Sequence, residues 1–75
     1  MRLIDVQHDL WVRVLSFEGN PAFHSRLLQH GLYPGDRARI LRNAPLAGPL
    51  LVEVGGREIA LGQSVAEKII VELEQ

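Results

Sequence analysis

His8, His24 and His30 are the residues of this 75-residue sequence best suited to hold a divalent transition metal, since imidazole is a common ligand for such ions. Their spacing argues against it. At 3.6 residues per turn, His24 and His30 lie about 120° apart around a helix and cannot chelate one ion as an i,i+4 pair can. Cysteine is absent, which removes thiolate zinc sites, iron–sulfur clusters, disulfides and cysteine nucleophiles together. No metal or other cofactor is expected. Ser16, Ser25 and Ser64 have no glycine-flanked elbow, and the acidic residues fall at turns and outward strand positions, so no catalytic residue is assigned. Gly55-Gly56 has no following Lys-Ser/Thr, and nucleotide hydrolysis is not expected.

Two surface features remain. Arg13, Arg37 and Arg39, with Trp11 nearby, have the makings of a stripe for single-stranded nucleic acid. A formal net charge of −1 and 5% aromatic residues weigh against that reading, and no nucleic-acid partner is expected. The stretch from Ala44 to Pro49, continuing into Leu50 and Leu51, carries no charge. If it stands out from the domain, Leu46 and Leu51 are apolar anchors for a protein partner with Arg42 as a rim charge; if it folds back, it plugs one end of the fold.

The elements that position these residues follow from periodicity. Leu3 to Val6 reads as a short strand or tight turn. Leu10 to Phe17 alternates and reads as a strand. Asn20 is placed to cap a helix over about Ala22 to His30, with Pro21 in its first turn and Gly31 at its C-terminal end. Tyr33-Pro34-Gly35-Asp36 is a turn signal, followed by a strand over Asp36 to Asn43. Leu50 to Val54 and Ile59 to Leu61 flank Gly55-Gly56, which reads as a two-residue hairpin. One helical turn falls between Gly62 and Lys68, and a last strand carries Ile69, Val71 and Leu73 and ends at Glu72, Glu74 and Gln75. The expected core is Leu10, Val12, Val14, Leu27, Ile40, Val52, Val54, Ile59, Leu61, Ile69 and Val71.

Seventy-five residues make one domain, with no second core. Five or so short strands and one short helix in so small a chain favour a mainly β fold, a small SH3-like barrel, because closing a sheet removes vulnerable edges. No apolar run approaches the ~20 residues of a membrane span, and the N-terminal segment is unlike a signal peptide, so a soluble, cytoplasmic chain is expected.

Taken in order, Arg26-Leu27 and Gly31-Leu32-Tyr33-Pro34-Gly35-Asp36, the Ala44–Pro49 loop, Val54-Gly55-Gly56-Arg57-Glu58-Ile59-Ala60-Leu61 and Ser64 to Val71 resemble the FeoA family. These are small cytoplasmic accessory proteins of bacterial ferrous iron uptake. The sequence departs from the family pattern in three places. His8-Asp9 stands where a proline-glycine pair is usual, Ala47-Gly48 where the loop usually has Gly-Asp, and Gly62-Gln63 where an arginine pair is usual. The resemblance implies an SH3-like barrel over residues 1–75 without catalysis of its own. It also implies a partner, the cytoplasmic GTPase-containing region of the membrane transporter FeoB, so that the chain meets the membrane only through that partner. Weak homo-oligomerisation is compatible with it. The alternative is a stand-alone regulatory barrel related to the C-terminal domain of metal-dependent transcriptional repressors.

Overall fold

The computed structural model describes residues 1–74, so the expectation that Gln75 closes the last strand lies outside the described residues. Five antiparallel strands form one sheet: β1 (Val12–Phe17), β2 (Arg37–Asn43), β3 (Leu50–Val54), β4 (Arg57–Leu61) and β5 (Ile69–Leu73), in the spatial order β4-β3-β2-β1-β5. Helix α1 (Pro21–Gln29) connects β1 to β2, and the single turn α2 (Gln63–Ala66) connects β4 to β5. This is the expected mainly β, SH3-like layout with one helix of more than a turn. Among the described residues no helix is long and apolar enough to cross a membrane.

The sheet curves because two strands carry an extra residue. The register of β1 on β5 shifts between Val14 and Ser16, and that of β2 on β3 shifts between Ile40 and Arg42. Each bulge bends its strand and increases the local twist, so the inward faces enclose one core. Val12, Val14, Ala38, Ile40, Val52, Val54, Ile69 and Val71 are buried from the strands, and Leu27 enters from α1.

Two expected core residues are corrected. Leu10 is 41% exposed, because β1 begins only at Val12 and the alternation extended back to Leu10 lies outside the ladder. Ile59 is half-buried against the core, since β4 is an edge strand with β3 on one side only. The N-terminal segment is a single 3-10 turn over Leu3–Asp5. It buries Leu3 and Val6, which the expected core omitted along with Leu32, Ala38, Leu50 and Ala66.

Local signals set the ends of α1. The Asn20 side chain accepts the Phe23 N–H at 2.9 Å, and Pro21 occupies the first turn. At the other end Gly31 has φ +83°, Gly31 N–H donates to Leu28 O and Leu32 N–H to Leu27 O. This is a Schellman motif with the apolar residue after glycine, Leu32, buried as the motif prefers. Gly55 and Gly56 both have positive φ, 59° and 78°, which is the type I′ turn that a two-residue hairpin needs.

The sheet has two outer edges. That of β5 is covered: Val71 N–H donates to Met1 O at 2.8 Å and Arg2 bridges Ile70. Arg2 is held there by Glu18 and by Glu67 O, 2.7 Å from its guanidinium. Among the described residues, the edge of β4 has no strand beyond it.

Candidate functional site

The uncharged loop connects β2 to β3 and is pinned at its base. Ala44 N–H donates to Pro49 O at 2.9 Å, Gly48 N–H donates to Pro45 O at 3.2 Å, and the Gln63 side chain of α2 donates to Gly48 O at 3.3 Å. A Cβ on Gly48 would stand 2.7 Å from that of Ala44, so the loop closes tightly on itself. Its tip turns through two non-glycine residues in the left-handed region, Leu46 at φ 60° and Ala47 at φ 58°. Such backbone is unfavourable for residues with a Cβ. Here it throws the Leu46 side chain outward: Leu46 is 100% exposed. The loop stands out rather than plugging the barrel.

The other two expected contact residues lie at the foot of this loop. Arg42 and Leu51 are direct partners across β2 and β3. Arg42 is exposed and, among the described residues, in no ion pair, while Leu51 is half-buried. The structure therefore groups Arg42 with Leu51 and sets Leu46 beyond them at the tip. Leu46 is thus fully exposed at the tip, while Leu51 at the foot is half-buried beside the exposed cation of Arg42.

The arginine stripe is otherwise occupied. Arg13 and Arg37 sit directly opposite each other on β1 and β2, a like-charge pairing that is unfavourable by itself. Glu74 answers both: Arg37 Nε donates to its carboxylate at 2.8 Å, and Arg13 Nη2 lies 3.4 Å away. Arg37 holds the Glu74 carboxyl below its ordinary range, chiefly by this hydrogen bond. Arg39 pairs with Glu53 at 2.7 Å, and the guanidinium carbons of Arg37 and Arg39 lie 4.5 and 4.9 Å from the Trp11 ring centroid. Trp11 and the arginines stack on one another, the cation–π arrangement, and the carboxylates offset the charge a phosphate backbone would need.

The histidines are dispersed. His8 Nε2 is 3.1 Å from the Asn43 side chain, and His24 packs edge-on against Phe17 and Phe23 with its Nε2 buried and unpartnered. His30 ends α1. Among the described residues no three His, Asp or Glu side chains converge on a common point.

Periodicity did not reveal one feature, a groove of about 190 Å³ between α1 and β4. Phe23 and Leu27 line one wall and Ile59 and Leu61 the other. Ile59 carried the available signal, an apolar residue on a strand too exposed to bury it fully.

A sequence model of the FeoA domain matches residues 1–73. No curated protein gives a significant match. The structure of iron(II) transport protein A from Clostridium thermocellum superposes with a TM-score of 0.90 at 30% identity over 97% of this chain, which spans only 45% of that relative. FeoA of Stenotrophomonas maltophilia, a prokaryotic SH3 domain protein solved in complex with zinc, gives 0.78 at 30% identity, covering 96% of this chain and 89% of that one. The manganese regulator SloR gives 0.84 at 25% identity over 97% of this chain and 34% of its own. With the domain model covering almost every residue and the fold shared by two FeoA proteins, the chain belongs to the FeoA family of ferrous iron transport.

Proposed function

We propose that this protein is a non-catalytic cytoplasmic accessory of ferrous iron uptake. Its loop end docks on the cytoplasmic GTPase-containing region of the membrane ferrous iron transporter, FeoB. The observation that carries the reading is Leu46, a fully exposed leucine held outward by left-handed backbone at the tip of an uncharged loop. Natural chains keep unfavourable backbone where the surrounding structure holds it and a function uses it. Membership of the FeoA family supports the transport setting, as does the description of the S. maltophilia relative as a candidate activating factor for ferrous iron transport. Affinity capture from host membranes tests it, comparing wild type with Leu46→Asp and Arg42→Glu variants shown by circular dichroism to stay folded. Recovery of the transporter with wild type, lost with either variant, is the expected result. Equal recovery with all three discards this site, and absence of the transporter from every capture discards the partner.

Similarity to SloR favours a second reading, a regulatory barrel that serves a metal-dependent DNA-binding protein. The adjacent reading frame separates the two: a membrane GTPase supports the first and a winged-helix protein the second.

A further inference from the structure

We propose that the bare edge of β4, with the groove beside it, is a second binding surface that takes an extended segment of another protein, aliphatic at alternate positions and carrying a carboxylate. The two outer edges of the sheet are treated differently. Met1 and Arg2 cover β5, whereas among the described residues the backbone of β4 is hydrogen-bonded to that of β3 alone, and β4 is tied to the end of α1 through the Arg57 side chain. In a two-residue hairpin the residues flanking the turn, Val54 and Arg57, form a hydrogen-bonded pair, and pairing alternates beyond them. The N–H and C=O groups of Glu58 and Ala60 therefore point away from β3, ready to pair with an added strand.

The groove supplies side-chain recognition next to those groups. Its volume, about 190 Å³, lies below the ~300–1,000 Å³ of small-molecule sites and suits the side chains of a peptide. Phe23, Leu27, Ile59 and Leu61 form its apolar walls, while Arg26 of α1 and His30 just past its end stand along it. Arg26 is exposed and, among the described residues, in no ion pair. Glu58 belongs to the opposite face of the strand from Ile59 and Leu61. The charge bordering the groove is thus positive and unanswered, and it calls for a carboxylate on the ligand.

A second copy of this chain fits less well. Paired edge to edge, Glu58 and Ala60 of one copy meet Glu58 or Ala60 of the other, and no such register places Arg57 opposite Glu58. A strand from a different protein is the occupant that the charge favours.

The test uses the intact chain, labelled with nitrogen-15, and three capped octapeptides. The first alternates valine and threonine with one central valine replaced by glutamate; the second has lysine at that position; the third is the glutamate peptide N-methylated at alternate residues. The glutamate peptide is expected to shift the Glu58 and Ala60 amides most, the lysine peptide to bind at least fivefold more weakly, and the N-methylated peptide not to bind. Arg26→Glu, a surface change that leaves the core intact, should reverse the preference between glutamate and lysine. Equal binding of both charges, retained binding after N-methylation, or no shifts at millimolar peptide overturns the proposal. Concentration-dependent shifts of β4 without peptide identify a second copy instead, which also overturns it. None of these outcomes bears on the docking role of Leu46.

Discussion

Arg57 and Gly31 are locked together: one guanidinium nitrogen of Arg57 on β4 donates to the carbonyl oxygens of His30 and Gly31, 2.9 Å from each. A cation thereby meets the negative end of the α1 dipole and satisfies carbonyls that the Schellman motif leaves open. A Cβ on Gly31 would fall 1.8 Å from that nitrogen, at a φ of +83°. Gly31→Ala therefore combines backbone strain with the loss of Arg57 from its place, at a cost of about 1–3 kcal/mol. Arg57→Ala should cost less, about 0.5–1 kcal/mol. In a urea-denaturation double-mutant cycle the two losses should fall short of additive, because Gly31→Ala already displaces the arginine.

The loop tip offers a change in the opposite direction. Ala47 has φ 58° at the position where the family pattern usually has glycine. Glycine adopts that backbone without the Cβ penalty, so Ala47→Gly should raise stability by about 0.5–1 kcal/mol, net of the extra freedom glycine has when unfolded. A higher denaturation midpoint with an unchanged urea slope checks it.

Acid should weaken the domain through two carboxylates. Arg37 lowers the Glu74 carboxyl and Arg2 lowers that of Glu18, in each case chiefly by a side-chain hydrogen bond. A carboxyl depressed in the folded state stabilises it above its unfolded value and loses that contribution as pH falls through the folded one. Melting temperature should accordingly be level near neutrality and fall below about pH 4.5. Glu74→Gln should show a shallower fall over the same range, and 1 M salt should narrow the difference, since both pairs are exposed.

Leu27 and Leu10 separate core from surface. Leu27, 3% exposed, is the buried residue that α1 contributes to the core. Leu27→Ala should cost about 2–5 kcal/mol, enough to leave much of so small a domain unfolded. Leu10→Ala should change stability by about 0.5 kcal/mol or less. Thermal melts followed by circular dichroism distinguish the two.

Much of this architecture was legible in the sequence because its punctuation has a local cause. Asn20-Pro21, Gly31 and Gly55-Gly56 each specify a backbone conformation by themselves, and the ends of α1 and the β3–β4 hairpin follow. Leu10 and Ile59 were misplaced for a different reason. Alternation says which residues share a face, but whether that face is covered depends on neighbours far along the chain: Leu10 precedes the ladder, and Ile59 lies on an edge. Of the candidate site, the uncharged loop and the three residues proposed for contact were visible as composition. Its outward projection was not, since left-handed Leu46 and Ala47 have no glycine to announce them. The α1–β4 groove was invisible because it forms only when distant elements meet.

The chain's first long strand is hydrogen-bonded to its last, β1 to β5, and this has a kinetic consequence. The β2–β3–β4 meander needs only short loops to form, whereas joining β1 to β5 closes nearly the whole polypeptide and must overcome the corresponding entropy first. Folding should therefore nucleate in the meander, with the β1–β5 seam zipped late. Substitutions that weaken the seam, such as Val14→Ala or Val71→Ala, would then speed unfolding more than they slow folding, while Val52→Ala in the meander would retard folding itself.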